Sequence, residues 1–262
     1  RVNSLDPVDL YENPIYVETN GDGIFNAGDY ILFYGQGVER IFHVSNNNRY
    51  YHLRHPYSDD AYYFITTKPG LGKRMETVDF LSNTPTNYTT SADYVAIYEN
   101  EVQNPIKSGR LLFDELLTAN ESRNITFSVP VSLAEEQNAS IQTQVIGFQS
   151  NLEPQCSFQF SINGETAHRT FLIGSSPQAI SDVWDLKSGY SEFTPQSNTI
   201  NINAQFLATS VTARGAIDFI RLTARINLAL PNTNRLSFWE TKNMGTNKIK
   251  EFRMSGNNIM VF

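Results

Sequence analysis

The sequence holds a single cysteine, Cys156, among 262 residues, so no disulfide can form within the chain. It lacks any apolar run approaching the about 18–20 residues that a membrane-crossing helix needs. It has no cluster of Lys and Arg, and its net charge is −7. Without a basic face to neutralise phosphates, nucleic acid is excluded as a partner. Helical periodicity is scarce. Only SGRLLFDELL (108–117) and VSLAEEQ (131–137) suggest helix, and neither sustains an apolar stripe over several turns. No signal-type segment opens the chain, which begins at Arg1 and closes on the apolar NNIMVF. Both ends read as cut from something longer.

Aromatic residues, by contrast, are plentiful at 12%, with 17 Phe and 13 Tyr. They favour strands. Strand-type runs recur at 61–67, 93–99, 124–131, 140–150, 156–162, 199–206, 216–230 and 235–241. In Ser157-Phe158-Gln159-Phe160-Ser161-Ile162 polar and apolar residues alternate strictly, as in a sheet with one buried face. Asn163-Gly164 follows, a strong hairpin signal. The expectation is an all-β protein of two units. Residues 1–104 form an N-terminal β domain, and 105–262 form a β-sandwich of jelly-roll type. The boundary falls at Asn104-Pro105, where proline disfavours helix at the preceding residue.

One stretch, VETNGDGIFNAGDYILFYGQG (17–37), carries a candidate metal site. With Glu18 as position 1 of a calcium loop, Asn20 is 3, Asp22 is 5, Gly23 is 6, Ile24 is 7 through its carbonyl, Asn26 is 9 and Asp29 is 12. Calcium takes six to eight oxygens, and glycine at position 6 permits the sharp turn. Against this, the first ligand is the longer Glu, the last is a short Asp, and strand rather than helix follows. A plain turn built on Asn20-Gly21-Asp22-Gly23 explains the same residues, and both readings stay open.

The other reactive side chains point to less. His52 and His55 stand three apart, with His43 nine residues earlier, but Arg54 sits between the pair and no obvious third ligand completes the three or four that zinc needs. A nucleophilic Cys156 would need a histidine in reach, and His168, across the expected hairpin, is the one candidate. A buried free thiol is the plainer expectation. Asp59-Asp60, Asp114-Glu115 and Glu135-Glu136 are adjacent pairs, which point to opposite faces of a strand and do not make a glycosidase pair. Trp184, Tyr190, Phe238 and Trp239 form either core or a platform on which sugars stack. The platform reading makes the chain a carbohydrate-binding module.

Four segments, in this order, carry a family resemblance: NPIYVETNGDGIFNAGDYILFYGQG, HPYSDDAYYFITTKPGLGKRM, SGRLLFDELL and GAIDFIRLTARINL. Together they resemble the region ahead of the peptidase domain in the PorU-type sortases of the Bacteroidetes type IX secretion system. Those sortases are similar to gingipains in their cysteine-peptidase domain. The resemblance implies a non-catalytic region that scaffolds a downstream peptidase domain at the outer-membrane surface. It also implies contact with the sorting domains of secreted cargo or with an outer-membrane anchor protein. Cys156 does not stand in the family's nucleophile motif, so no catalytic residue is assigned.

Overall fold

The computed structural model describes residues 11–67, 69–76, 85–135, 137–149, 156–172, 183–233, 235–242 and 250–256. Among these residues every regular element is a strand. The chain divides into two compact units, 1–84 and 85–262.

Unit 1 holds two antiparallel hairpins. β1 (Ile15–Glu18) pairs with β2 (Tyr30–Phe33), and β3 (Arg40–Val44) pairs with β4 (Arg49–Leu53). The segment around Lys73–Met75 runs beside β1, exchanging backbone bonds with Ile15. A two-stranded hairpin cannot enclose an apolar core. Accordingly Tyr30, Ile31, Leu32 and Phe33 are all exposed.

Unit 2 is the sandwich. Its strands are β5 (Asn87–Thr89), β6 (Ser91–Glu99), β7 (Ser122–Ser128), β8 (Ala139–Gln149), β9 (Ser157–Ile162), β10 (Glu165–Phe171), β11 (Val183–Phe193), β12 (Thr199–Leu207), β13 (Arg214–Asn227) and β14 (Lys250–Phe252). One sheet has the order β11-β8-β13-β6 and the other β10-β9-β12-β7, every pairing antiparallel. The chain passes from sheet to sheet between β6, β7, β8 and β9, and returns in mirror order through β10 to β13. This is the jelly-roll connectivity expected from the sequence. β5 and β14 add a short parallel pair.

The alternation within each strand builds the core. Phe158, Phe160 and Ile162 of β9 meet Ile200, Ile202, Ala204 and Phe206 of β12, all buried. From the opposite sheet come Ile141 and Val145 of β8, with Ile217, Ile220 and Leu222 of β13. The inward positions of β13 change parity between Ile217 and Ile220. The ladder explains the change, because its register shifts by one residue between Ile217 and Phe219. Asp218 is the extra residue of this bulge.

Two expectations are corrected. The boundary lies at 84/85, not 104/105, because β6 completes a sheet of the sandwich by pairing along β13. The helix candidates are not helical. Residues 108–117 form bridges instead, Gln103 with Phe113 and Leu117 with Gly215, and bury Phe113 against Ile146 and Ala216. In 131–137, Leu133 bridges Ile226 and Val131 is buried, while residue 136 lies outside the described residues. In both segments the main chain bonds to β13, and that tertiary pairing overrides a weak local preference.

Candidate functional site

The loop between β1 and β2 gathers the six residues proposed for calcium into one hydrogen-bonded turn. Asn20 has φ 50°, Gly21 87° and Gly23 73°. These left-handed values favour Asn and Gly and fold the chain tightly. Glu18 Oε1 accepts from the Asn20 backbone N–H at 3.1 Å. The Asn20 side-chain amide donates to Asp29 Oδ1 at 2.8 Å, and Asp29 Oδ2 accepts from the Asn26 N–H at 2.6 Å. Asp22 Oδ1 accepts from the Ile24 N–H at 2.8 Å. The Asn26 amide reaches both Asp22 Oδ2, at 3.1 Å, and the Ile24 carbonyl, at 3.2 Å. The loop thus has the shape a plain turn requires, and its N–H groups satisfy oxygens that a calcium ion would otherwise take.

Cys156 and His168 do not meet. Leu172 N–H donates to the Cys156 carbonyl, and His168 stands opposite Phe160. Four strand positions separate them, about 13 Å at about 3.3 Å per residue. Cys156 is buried, and desolvation pushes its thiol up to about 11. A thiol so raised is not a nucleophile at neutral pH. His168 instead points into the sandwich, stacked on Phe160 with ring centroids 4.7 Å apart. Burial lowers its pKa to about 4, so the ring is neutral at pH 7.

The remaining candidates are dispersed. His43 Nε2 lies 3.0 Å from Asn48 Oδ1, and His55 Nδ1 accepts from the Tyr57 N–H. Among the described residues no three His, Cys, Asp or Glu side chains converge as a metal site would need. Asp59 pairs with Arg54. Asp114 is buried and accepts from the Tyr98 hydroxyl and the Asn100 amide, each at 2.7 Å, which makes it a structural anchor. Trp184 and Tyr190 lie on β11, whereas Trp239 bridges Asp93 on β6. These strands are the two edges of one sheet, about 14 Å apart at about 4.8 Å per strand. Phe238 packs on Phe252. The four aromatics therefore form no single platform.

No protein-family model matches the sequence, and no curated protein matches it either. Among solved structures, dimeric latent PorU from Porphyromonas gingivalis matches with a TM-score of 0.69 at 13% identity. The alignment covers 94% of this chain and 22% of that one. The chain has the fold of that part of PorU. It spans 22% of the length of PorU, and at this identity the likeness concerns the fold alone. Two carbohydrate-binding modules match far more loosely. One is the CBM36-1 domain of a multidomain xylanase from the hindgut metagenome of Trinervitermes trinervoides. It has a TM-score of 0.31 and 13% identity over 50% of this chain and 95% of its own. The other is a CBM36 module in complex with calcium and xylotriose, with a TM-score of 0.30 and 17% identity over 51% of this chain and 99% of its own. Neither score bears on function, whereas the PorU-like fold extends through nearly the whole chain.

Sequence reasoning missed a second cluster. Asn124, Thr126, Asn163, Asn201 and Asn203 line a groove of about 420 Å³ on the outer face of β10-β9-β12-β7. The signal was present in Thr199-Ile200-Asn201-Ile202-Asn203, where Asn recurs at alternate positions. Only the sheet order brings Asn124, 79 positions away along the chain from Asn203, to the same place.

Proposed function

We propose that this chain is a non-catalytic region of a PorU-like sortase of the type IX secretion system, exported to the outer-membrane surface. Its role is to scaffold the gingipain-like peptidase domain of the same polypeptide, and its surfaces are available to cargo sorting domains or an outer-membrane partner. The observation that carries the reading is the apolar surface of unit 1. Tyr30, Ile31, Leu32 and Phe33 are 41–47% exposed, and Tyr34 is 71% exposed. The pairing sets Phe33 opposite Ile15 and Ile31 opposite Val17 on one face, with Leu32 opposite Tyr16 on the other. A hairpin apolar on both faces gains its stability by packing against something larger. A neighbouring domain in the same protein supplies such a surface at high effective concentration.

Hydrogen exchange tests the proposal. The amides of Tyr30–Tyr34 should exchange quickly in the isolated chain and be strongly protected in the full-length parent. Equal exchange in the two would remove the support for scaffolding. Incubating the chain with Arg-, Lys- and sorting-domain peptides tests the catalytic part. Turnover abolished by Cys156→Ala would overturn it.

A further inference from the structure

The sandwich has two outer faces of different character. On β11-β8-β13-β6 the outer face is covered in part by residues 100–117, and it carries the buried Arg221 and Arg225. On β10-β9-β12-β7 the outward Asn124, Thr126 and Asn201 are exposed, while Ser157 of β9 is buried beneath Arg169. Along β7, β9 and β12 the positions facing away from the core are Ser, Thr, Asn or Gln, until Leu207 ends β12. None of these outward side chains is charged or aromatic, whereas the edge strand β10 adds Arg169, which donates to Ser157 Oγ at 2.8 Å, and the exposed Phe171. On this face lies the Asn-lined groove, whose volume falls within the range of small-molecule sites.

The groove is ordered by its own hydrogen bonds. The Asn203 side-chain amide donates to Asn124 Oδ1 at 2.8 Å, and the Thr126 hydroxyl donates to Asn201 Oδ1 at 2.9 Å. Asn163, at φ 50°, begins the turn after β9. Its N–H donates to the Asn201 carbonyl and its Oδ1 accepts from the Asn201 N–H, so its side chain continues the β9–β12 ladder. Among the described residues, no further hydrogen bond engages the Nδ2 groups of Asn124, Asn163 and Asn201, which are exposed, or Oδ1 of the half-buried Asn203. The result is a fixed, uncharged array of donors and an acceptor.

We propose that this groove binds a neutral oligosaccharide. Sugar hydroxyls donate and accept at once, and a carboxamide matches two neighbouring hydroxyls with one donor and one acceptor. None of the residues lining the groove is charged or aromatic, so an anionic ligand finds no cation among them, and the Arg and aromatic of this face, Arg169 and Phe171 on β10, stand beside Gln159 and Ser157 outside the lining. An extended peptide would pair with a sheet edge instead. The proposal is independent of the scaffold reading, since it concerns the sandwich and not unit 1.

The test is NMR titration of the chain, ¹⁵N-labelled, with neutral xylo-, manno-, galacto- and N-acetylglucosamine oligosaccharides at millimolar concentration. Uronic-acid and sulfated oligosaccharides serve as contrast. A neutral oligosaccharide should shift the side-chain amides of Asn124, Asn163, Asn201 and Asn203. Asn203→Ala and Thr126→Val should each weaken binding by about tenfold, the loss of one hydrogen bond. Gln159→Ala, on the same sheet face but outside the groove, should leave it unchanged. Backbone spectra verify that each variant is folded. The proposal is overturned if no neutral oligosaccharide shifts these amides, if only acidic ones do, or if binding survives both groove variants.

Discussion

His168 on β10 and Thr143 on β8 meet across the interior of the sandwich, with Nε2 3.0 Å from Thr143 Oγ1. Nδ1 of the same ring lies 3.0 Å from Ser191 Oγ on β11. One imidazole therefore ties an edge strand of one sheet to two strands of the other. The fit is close, since a side chain added at Gly189 would collide with the ring.

The first prediction concerns this ring. Its pKa is lowered from 6.5 to about 4 by burial, so the folded state holds fewer protons than the unfolded one between those values. Stability is then greatest above pH 6.5 and falls as pH drops toward 4. His168→Gln should flatten that part of the profile. Urea denaturation at a series of pH values checks it. An unchanged slope in the variant would contradict the assignment.

Asp218, the bulged residue of β13, should titrate with the opposite sign. Desolvation first, then the charges of Glu99 and Glu101, raises its pKa from 3.8 to about 7. The folded state therefore holds the extra proton, and stability falls as pH rises from 4 to 7. Asp218→Asn should match the wild type near pH 4 and exceed it at pH 8 by up to about 4 kcal/mol. Equal midpoints at pH 8 would show that the carboxylate carries no such penalty.

Arg225 joins three separate segments of the sandwich. Its guanidinium contacts Asp93 at 2.9 Å and Glu240 at 2.5 Å, and Lys250 reaches the same Glu240 oxygen at 3.3 Å. Glu240 is 2% exposed at its side chain. Removing one member of such a pair leaves buried cations poorly compensated, at a cost of about 3–5 kcal/mol. Glu240→Ala should show a loss of that size in chemical denaturation. A loss below about 1 kcal/mol, the level of an exposed pair, would mean that water reaches the cluster.

For the loop between β1 and β2, the calcium and turn readings part in one measurement. Asp29→Ala should weaken the hairpin in either case, because the carboxylate accepts from both Asn20 and Asn26. If calcium binds only the folded state, a hundredfold excess over Kd stabilises it by about 2.7 kcal/mol. That gain should vanish in Asp22→Ala. A melting midpoint equal in EDTA and in millimolar calcium would leave the turn held by its own hydrogen bonds alone.

The sequence by itself determined the all-β class, the sandwich in the second part of the chain and the hairpin at Asn163-Gly164. These follow from local rules: period-two alternation as in Ser157–Ile162, and turn residues that accept positive φ. It also placed Glu18, Asn20, Asp22, Ile24 and Asp29 together, since a twelve-residue loop closes on itself. Tertiary structure alone decided what depends on distant pairing. It moved the unit boundary, because β6 completes a sheet through contacts with β13 more than a hundred residues away. It turned the 108–117 segment from a helix candidate into a bridge-forming cover, separated Cys156 from His168 through the hairpin register, and dispersed the four aromatics. It also assembled the Asn-lined groove from β7, β12 and the β9–β10 turn. Alternation along a strand identifies which residues share a face, whereas the order of strands in the sheet, fixed only by packing, decides which faces become neighbours.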